Sequence, residues 1–314
     1  MKHITCIGSV TSDVFVQPAD QLPPTGTLVG IDNLEVHMGG CASNAAMDLS
    51  ILGIPVSLIC RLGRDTFGDF VMKAVSDAGI GHDGITYDDE ASSTVSIVLV
   101  NSAGERSFFY NPGAVSKFTL DHIDMGLIEK TDIVFVAGAN LLNSFDGKPC
   151  AELMRRAQTL GKYTVMDTAW DFQDIWLDKV FDVMPHLDLF MPSIEEAQKI
   201  SGLEDPGEIA DRFFEWGVKN VVIKLGKKGA LICEAGKDRV TLPTYSEIKP
   251  VDTTGAGDSF CAGFLAGLSQ GWDYKKSGEL ANAVGTHCVM RVGASSGIKP
   301  LGDILEFMRT HTAG

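Results

Sequence analysis

The chain has 314 residues, of which 45% are hydrophobic and 21% charged; these proportions are ordinary for a globular protein and exclude a low-complexity or disordered chain. Lys and Arg total 26 against 41 Asp and Glu, which gives a formal net charge of -15. A chain this acidic repels phosphate backbones and anionic membrane surfaces, so nucleic-acid binding is disfavoured.

Two features of the sequence indicate the cellular compartment of the protein: the spacing of its cysteines and histidines, and the residues at the start of the chain. The seven cysteines and seven histidines are scattered, with no C-x-x-C, H-x-x-H or H-E-x-x-H spacing, which argues against a disulfide framework and a structural zinc site. The chain opens directly on a strand-like segment, without the basic and apolar regions of a targeting peptide. No stretch approaches the roughly 18 apolar residues of a membrane span. We therefore expect a cytoplasmic protein.

Short aliphatic or β-branched runs alternate with helix-like periodic segments along the chain. The predicted strands are Ile4–Gly8, Val56–Cys60, Ile133–Ala137, Tyr163–Asp167, Leu187–Met191 and Asn220–Leu225. The predicted helices between the later strands are Ala151–Leu160, Ile194–Ile200 and Ile209–Trp216. This alternation predicts a mostly parallel sheet with helices on both faces, whose ligands lie at the carboxyl ends of the strands.

Two segments break this alternation. Residues 11–36 carry Pro18, Pro23 and Pro24 between extended pieces, and residues 94–110 read as a hairpin that turns at residues 102–104. They predict a small separate sheet attached to the α/β body. A later hairpin over Ala230–Leu242 is predicted to add antiparallel strands to the edge of the main sheet.

The segment Val251–Phe260 (VDTTGAGDSF) carries the clearest chemistry. Small residues at 255–257 permit a tight turn, and the following residues have helical spacing. A glycine turn that leads into a helix N-terminus forms an anion site from backbone amides and the helix dipole. Asp258, in the first helical turn, is placed either to accept a proton from a hydroxyl that attacks phosphorus or simply to cap the helix.

Other phosphate-binding signatures are absent from the sequence. It contains no G-x-x-x-x-G-K-[ST], no H-R-D or D-F-G, and no G-x-G-x-x-G that opens the first βα unit. These absences disfavour a P-loop enzyme, a protein kinase and a dinucleotide-dependent oxidoreductase.

Seven further segments occur along the chain in the same order as the sequence motifs of one known protein family. They are GSVTSD at 8–13, GGCASNAA at 39–46, GRDTFG at 63–68, PSIEEA at 192–197, KLGKKG at 224–229, ANA at 281–283 and RVGA at 291–294. With DTTGAGD at 252–258 they resemble the ribokinase-like carbohydrate kinases, the PfkB family, over residues 4 to 300. The resemblance implies a three-layer α/β sandwich in one domain, residues 1–314, with a β-sheet lid formed by about 11–36 and 94–112.

The resemblance also implies that ATP donates its γ-phosphoryl group to a hydroxyl of a small sugar-like acceptor. Asp258 would be the base, and the amides of Gly255, Ala256 and Gly257 would stabilise the transferring group. The implied binding residues are Asp13, Gly39, Gly40 and Asn44 for the acceptor and Lys224, Gly226, Gly229 and Asn282 for the nucleotide. On local pattern alone Asn44 reads as a helix cap or turn residue, and Gly226 and Gly229 read as turn glycines.

Two cations are implied in the same way. Glu196 would act on Mg²⁺ through bound water, although an exposed glutamate early in a helix explains it equally well by pattern. A monovalent cation, K⁺, would lie at Asp252, the Thr254 carbonyl and Ser295.

The chain departs from the family pattern at two places. Ser193 stands where the family usually has asparagine, and Asp167–Asp171 (DTAWD) occupies the place of Asp-x-Asn-x-Arg. Loss of that arginine removes a partner for an acceptor phosphate or carboxylate, which favours a neutral sugar or polyol.

Three interpretations remain open at this point: a kinase for a neutral sugar or polyol, a nucleoside kinase of the same fold, and a non-catalytic sugar- or nucleotide-binding regulator. The lid aromatics Phe108, Phe109 and Tyr110 would either cap the acceptor or form the lid core and interface. A homodimer through the lid is expected from the resemblance.

Overall fold

A computed structural model describes residues 1–314, which form thirteen strands and ten α-helices. The strands are β1 (Ile4–Gly8), β2 (Thr11–Gln17), β3 (Asn33–Gly39), β4 (Val56–Gly63), β5 (Gly81–Asp88), β6 (Val95–Val100), β7 (Arg106–Asn111), β8 (Ile133–Ala139), β9 (Tyr163–Thr168), β10 (Leu189–Phe190), β11 (Asn220–Lys224), β12 (Ala230–Glu234) and β13 (Val240–Leu242). The helices are α1 (Cys41–Ile51), α2 (Thr66–Asp77), α3 (Met125–Glu129), α4 (Lys148–Thr159), α5 (Leu177–Val180), α6 (Ile194–Ser201), α7 (Pro206–Glu215), α8 (Ala256–Ser269), α9 (Tyr274–Val289) and α10 (Leu301–Thr310). Short 3-10 helices cover Gly113–Lys117, Leu120–His122, Phe181–His186 and Gly226–Lys228.

The main sheet has nine strands in the order β13-β12-β11-β10-β9-β8-β1-β4-β5. From β5 to β11 all neighbours are parallel, and β12 and β13 continue the edge in antiparallel pairing. This confirms the predicted α/β class and the predicted hairpin at the edge. All the parallel strands therefore end at one edge, where the residues of the glycine turn and of β9 and β11 meet.

Both faces of the main sheet are buried, as the near-continuous apolar runs predict. Along β1, Ile4 and Cys6 belong to one core cluster, and Ile7 belongs to the cluster on the opposite face. The first cluster contains residues of α1, α2, α8 and α9, and the second contains residues of α4, α6 and α7. The result is a three-layer sandwich.

Five of the six predicted strands differ from the observed boundaries, and the largest differences are at β4 and β10. Strand β4 continues to Gly63, because it pairs with β1 on one side and with β5 on the other. Strand β10 is only Leu189–Phe190, because a 3-10 helix ends at His186 and Pro192 follows close behind.

The small sheet has the strand order β3-β2-β6-β7. Strand β2 begins at Thr11, three residues after β1 ends, so the small sheet grows from the carboxyl end of a central strand. In register, Asp13 lies opposite His37 and Ser96, and Ser96 lies opposite Tyr110, which places these four residues on one face. The small sheet predicted from residues 11–36 and 94–110 is therefore present.

Five of the ten α-helices have a side-chain cap at the N-terminus and five have none. Asp65, Ser193, Asp205 and Asp273 accept hydrogen bonds from the first-turn amides of α2, α6, α7 and α9. Helices α1 and α8 follow Gly40 and Gly255, with no side-chain cap. None of the helices combines the length and hydropathy needed to cross a membrane.

Candidate active site

The glycine turn and the first turn of α8 present unpaired amides to a cavity. Gly255 has φ 76°, and a side chain there would overlap Ala294, so the turn requires glycine. The Ala256 amide donates to the Thr253 carbonyl at 3.2 Å. The amides of Gly255, Gly257 and Asp258 have no hydrogen-bond acceptor in the protein, which leaves them available to an anion.

Asp258 does not cap its helix. Its Oδ2 accepts a hydrogen bond from Nδ2 of Asn44 at 2.8 Å. Asn44 lies inside α1 and is buried, so it is neither a cap nor a turn residue. Burial raises the pKa of Asp258, and the bond from Asn44 and the charge of Lys224 only partly oppose this shift. A raised pKa makes its carboxylate a stronger base than an ordinary aspartate.

Asp13 and the glycines before α1 lie beside Asp258. A Cβ on Gly39 would overlap the Asp13 carboxylate, so only glycine fits at the end of β3. Burial raises the pKa of Asp13 to about 6; His37 opposes the shift and the nearby charge of Asp258 adds to it. The structure thus brings the four residues predicted to bind the acceptor to the residue predicted to act as base.

A cavity of about 780 Å³ extends from Asp258 toward β13 and α9. Its walls include the predicted residues Glu196, Lys224, Gly226, Gly229 and Asn282 together with residues 255–258. The sequence analysis missed other wall residues, among them Thr168, Trp170, Lys227, Thr244, Ser246, Ile248, Pro250, Thr286 and Val289. Asn282 also has a structural task, because its Nδ2 donates to the Leu242 and Pro243 carbonyls at 3.3 and 3.0 Å and holds the end of β13.

A buried ion pair lies beneath the glycine turn. Nζ of Lys224 is 2.7 Å from each carboxylate oxygen of Asp167, and a Cβ on Gly257 would lie 3.4 Å from the same Nζ. Burial opposes the charge of Lys224, but Asp167 holds the pKa of the lysine above its ordinary value. The sequence analysis did not assign Asp167 a role; its place at the carboxyl end of β9 was the available signal.

Glu196 closes a capping box at the start of α6. Its Oε2 accepts from the Ser193 amide and from the Thr168 hydroxyl, each at 2.9 Å, and the Ser193 hydroxyl accepts from the Glu196 amide. Ser193, the departure from the family asparagine, is therefore a helix cap. Glu196 is partly buried and faces the cavity.

Asp252 and Thr254 lie at a second junction, with the small sheet. Oδ1 of Asp252 accepts from the Thr254 amide at 2.9 Å and from the Arg106 guanidinium at 2.8 Å, and Oδ2 accepts from the Gly293 amide at 3.0 Å. Burial alone would raise the pKa of Asp252, but the bonds from Arg106 and these amides hold it well below its usual value. Ser295, predicted to share this site, lies beside Asp48, where it lowers the pKa of that carboxyl.

Asp48, missed in the sequence, is a fully buried carboxyl behind Asp258. The Ser259 hydroxyl donates to its Oδ2 at 2.5 Å, and Oδ1 has no partner. Burial raises the pKa of Asp48 to about 8, and the neighbouring Ser259 and Ser295 hydroxyls offset only part of this shift.

Asp167–Asp171 is the other segment that departs from the family pattern, and its last residue, Asp171, stabilises the loop that follows. Asp171 accepts from Lys179 at 2.8 Å and from three backbone amides of the following loop. Next to it, Phe172 is half exposed and packs edge-on against Tyr110 of β7, with ring centroids 6.1 Å apart. This contact joins the small sheet to the rim of the cavity.

Comparison with known proteins assigns the chain to a family. The family model of the pfkB family carbohydrate kinases matches residues 1–300. The chain belongs to the pfkB family of carbohydrate kinases. It is therefore an ATP-dependent sugar kinase.

Three relatives illustrate the similarity. The chain is 28% identical to an ATP-dependent 6-phosphofructokinase of Thermoanaerobacterium thermosaccharolyticum, over 84% of this chain and 82% of that one. It is 25% identical to the ribokinase of Haemophilus influenzae, over 98% of each chain. The structure of Arabidopsis thaliana ribokinase complexed with ribose and ATP superposes with a TM-score of 0.87 at 22% identity, over 98% of this chain and 99% of that one.

The buried Asp48 carboxyl predicts a pH-dependent stability. The pKa of an aspartate in the unfolded chain is about 4, whereas that of Asp48 in the folded chain is about 8. As the pH rises, the unfolded state therefore loses this proton first. The free energy of unfolding falls progressively between these two pKa values. In Asp48→Asn this contribution is absent. Urea unfolding should show the free energy of unfolding of the variant rising relative to the native chain between about pH 5 and about pH 8.

The exposed Asp238→Asn serves as the control, and its difference from the native chain should stay constant over the same range. An equally constant difference for Asp48→Asn would show that this carboxyl does not titrate in the window.

Proposed function

We propose that this kinase transfers the γ-phosphoryl group of ATP to a hydroxyl of a small neutral sugar or polyol. The observation that carries the proposal is the arrangement around Asp258. A partly buried carboxylate, oriented by Asn44 at 2.8 Å, lies next to Asp13 on one side and next to three unpaired amides on the other. Such a group can take a proton from a hydroxyl while the amides receive the developing negative charge.

In the proposed step the acceptor oxygen bonds to Pγ as the bond from Pγ to the bridging β,γ-oxygen breaks. The hydroxyl proton passes to Asp258, and ADP leaves with the electron pair of the broken bond. Asp13 and Asn44 hold the acceptor hydroxyls, because a carboxylate and an amide together accept and donate at fixed angles. The amides of Gly255, Gly257 and Asp258, with the dipole of α8, stabilise the transferring group.

The long part of the cavity suits the nucleotide. Apolar side chains of Ile248, Pro250 and Val289 provide a surface for a purine, and Lys224 places a positive charge below Gly257, where phosphates would lie. Mg²⁺ fits Glu196, because a single cavity-wall carboxylate suits an ion that keeps its waters and is held mainly by substrate phosphates. When bound, that ion would neutralise phosphate charge.

The charges near the acceptor residues favour a neutral acceptor. Three cations around the site are already paired: Lys224 with Asp167, Arg106 with Asp252, and Lys179 with Asp171. An acceptor phosphate or carboxylate would lie close to Asp13 and Asp258, whose negative charges would repel it.

A nucleoside acceptor is the second candidate, and one contact favours it. Tyr110 shares a face of the small sheet with Asp13, and its ring meets that of Phe172 at the rim of the site. Burial, with the neighbouring Cys41 and Asp13, raises the pKa of Tyr110 to about 12. This aromatic pair offers a flat surface on which a base could stack.

An acceptor screen distinguishes these candidates. We expect ADP release from Mg-ATP with a pentose, hexose or polyol, because Asp13 and Asn44 suit hydroxyl groups and the carboxylates of Asp13 and Asp258 would repel an anionic acceptor. The panel contains free sugars, polyols, their phosphates and nucleosides. Turnover confined to nucleosides would establish the second candidate, and turnover confined to sugar phosphates would contradict the neutral acceptor.

Replacement of the base tests the mechanism. In Asp258→Asn we expect kcat to fall by about 10³-fold or more, because no other carboxylate is placed to take the proton. ATP binding, measured by calorimetry, should change little. Asp13→Asn is the matched comparison, since it removes a neighbouring carboxylate and should raise the acceptor KM more than it lowers kcat. Turnover of Asp258→Asn at the native rate would exclude this base.

We also propose that a second copy of the chain covers the outer face of the small sheet. Val36, Val14, Ile97 and Phe109 are direct neighbours across the four strands, and three of them are more than one-third exposed. An apolar row of this kind on a sheet with two unpaired edge strands suits an identical partner.

Light scattering should therefore give a dimer for the native chain and a monomer for Ile97→Lys. Leu160→Lys, at an exposed leucine that follows α4, should remain dimeric. A monomeric native chain would contradict the proposal.

A further inference from the structure

The loop from Asp252 to Gly255 shapes the amides that face the cavity. Asp252 is its only carboxylate, and the side chain is 1% exposed. A buried carboxylate needs a compensating positive charge or several hydrogen bonds. The family resemblance implies a monovalent cation beside Asp252, the Thr254 carbonyl and Ser295.

These residues do not fit such a cation in this chain. Both oxygens of Asp252 already accept hydrogen bonds, from Arg106 and the Thr254 amide on one side and from the Gly293 amide on the other. The Thr254 carbonyl accepts from Sγ of Cys288 at 3.3 Å. The Ser295 side chain lies beside Asp48. A further cation at these groups would compete with these donors and would lie next to a guanidinium.

Arg106 reaches the loop from the small sheet. It is the first residue of β7, and 146 residues separate it from Asp252. Its guanidinium donates to Asp252 at 2.8 Å and also contacts the Thr254 hydroxyl, so one planar group connects two residues of the loop. Only 26% of the Arg106 side chain is exposed, compared with 64% for Arg64 in its surface pair with Asp89.

We propose that the Arg106 guanidinium replaces the activating monovalent cation and makes this kinase independent of K⁺. The guanidinium neutralises Asp252 and holds the loop in the shape that leaves the amides of Gly255, Gly257 and Asp258 unpaired. Arg106 is thus a positioning residue that acts through the loop. The inference rests on the proposed function in one respect, that these amides act on the transferring phosphoryl group.

Because Arg106 belongs to the small sheet, the loop receives its cation from a different part of the fold. The loop is complete only when the small sheet lies over the site as it does here. Displacement of the sheet would remove the guanidinium and weaken the anion site, so phosphoryl transfer would require the sheet to be in place.

The first test compares KCl with tetramethylammonium chloride at equal ionic strength. The native enzyme should have the same kcat in both salts, within about twofold, because its cation is covalently attached. In Arg106→Ala we expect kcat to fall by about 10- to 100-fold in tetramethylammonium, with an acceptor KM close to the native value. Addition of K⁺ or guanidinium should restore a substantial part of the lost rate.

Two further variants control for a general loss of structure. Arg64→Ala, which removes an exposed arginine paired with Asp89, should behave as the native chain in both salts. Arg106→Lys keeps a charge but loses the planar donor, and its rate should lie between those of the native chain and Arg106→Ala.

A binding measurement separates this inference from the proposed function. K⁺ should raise the melting temperature of Arg106→Ala relative to tetramethylammonium and should leave that of the native chain unchanged, whether or not an acceptor has been found. Severalfold activation of the native enzyme by K⁺, or a loss in Arg106→Ala that neither K⁺ nor guanidinium restores, would overturn the inference.

Discussion

The hydrogen bond from Asn44 to Asp258 connects the two helices on which the site depends. Helices α1 and α8 both start after a glycine without a side-chain cap, at the carboxyl edge of the main sheet. Their positive ends therefore converge on one place. Asp or Ser caps bind first-turn amides of α2, α6, α7 and α9, whereas the amides of Gly257 and Asp258 in α8 stay unpaired where a phosphoryl group would be transferred.

This convergence explains how a chain with a net charge of -15 can accommodate a nucleotide. Lys224 and Arg106 contribute little free charge, because each is matched by an aspartate. Lys227 and Lys249 also line the cavity, and backbone amides and helix dipoles add to the attraction for anionic phosphates. The amides and dipoles are fixed by the fold and carry no formal charge that needs a counter-ion.

Local pattern was enough to predict the sheet, the glycine turn and the position of Asp258 in the first turn of α8. These features depend on residues close together in the sequence, such as apolar runs and the spacing of small residues. The family motifs added the residues around the acceptor. Pairs that are distant in the chain were not predictable, because no local signal links Arg106 to Asp252 or Lys224 to Asp167. Asn44 shows the same limit. Local pattern predicts a helix cap or turn residue, but its side chain donates to Asp258, 214 residues away in the chain.

The short connection between β1 and β2 has a mechanical consequence. Ser9 and Val10, the residues between the two strands, are buried, and the Ser9 hydroxyl accepts a hydrogen bond from the Cys41 amide at 3.0 Å. The small sheet is thus attached at a fixed pivot next to the reaction centre, and no long flexible arm separates them. Rotation about that pivot would carry Asp13 away from Asp258, which stays with the main body. The distance between the carboxylate proposed to hold the acceptor and the carboxylate proposed to take its proton would then be set by a single angle.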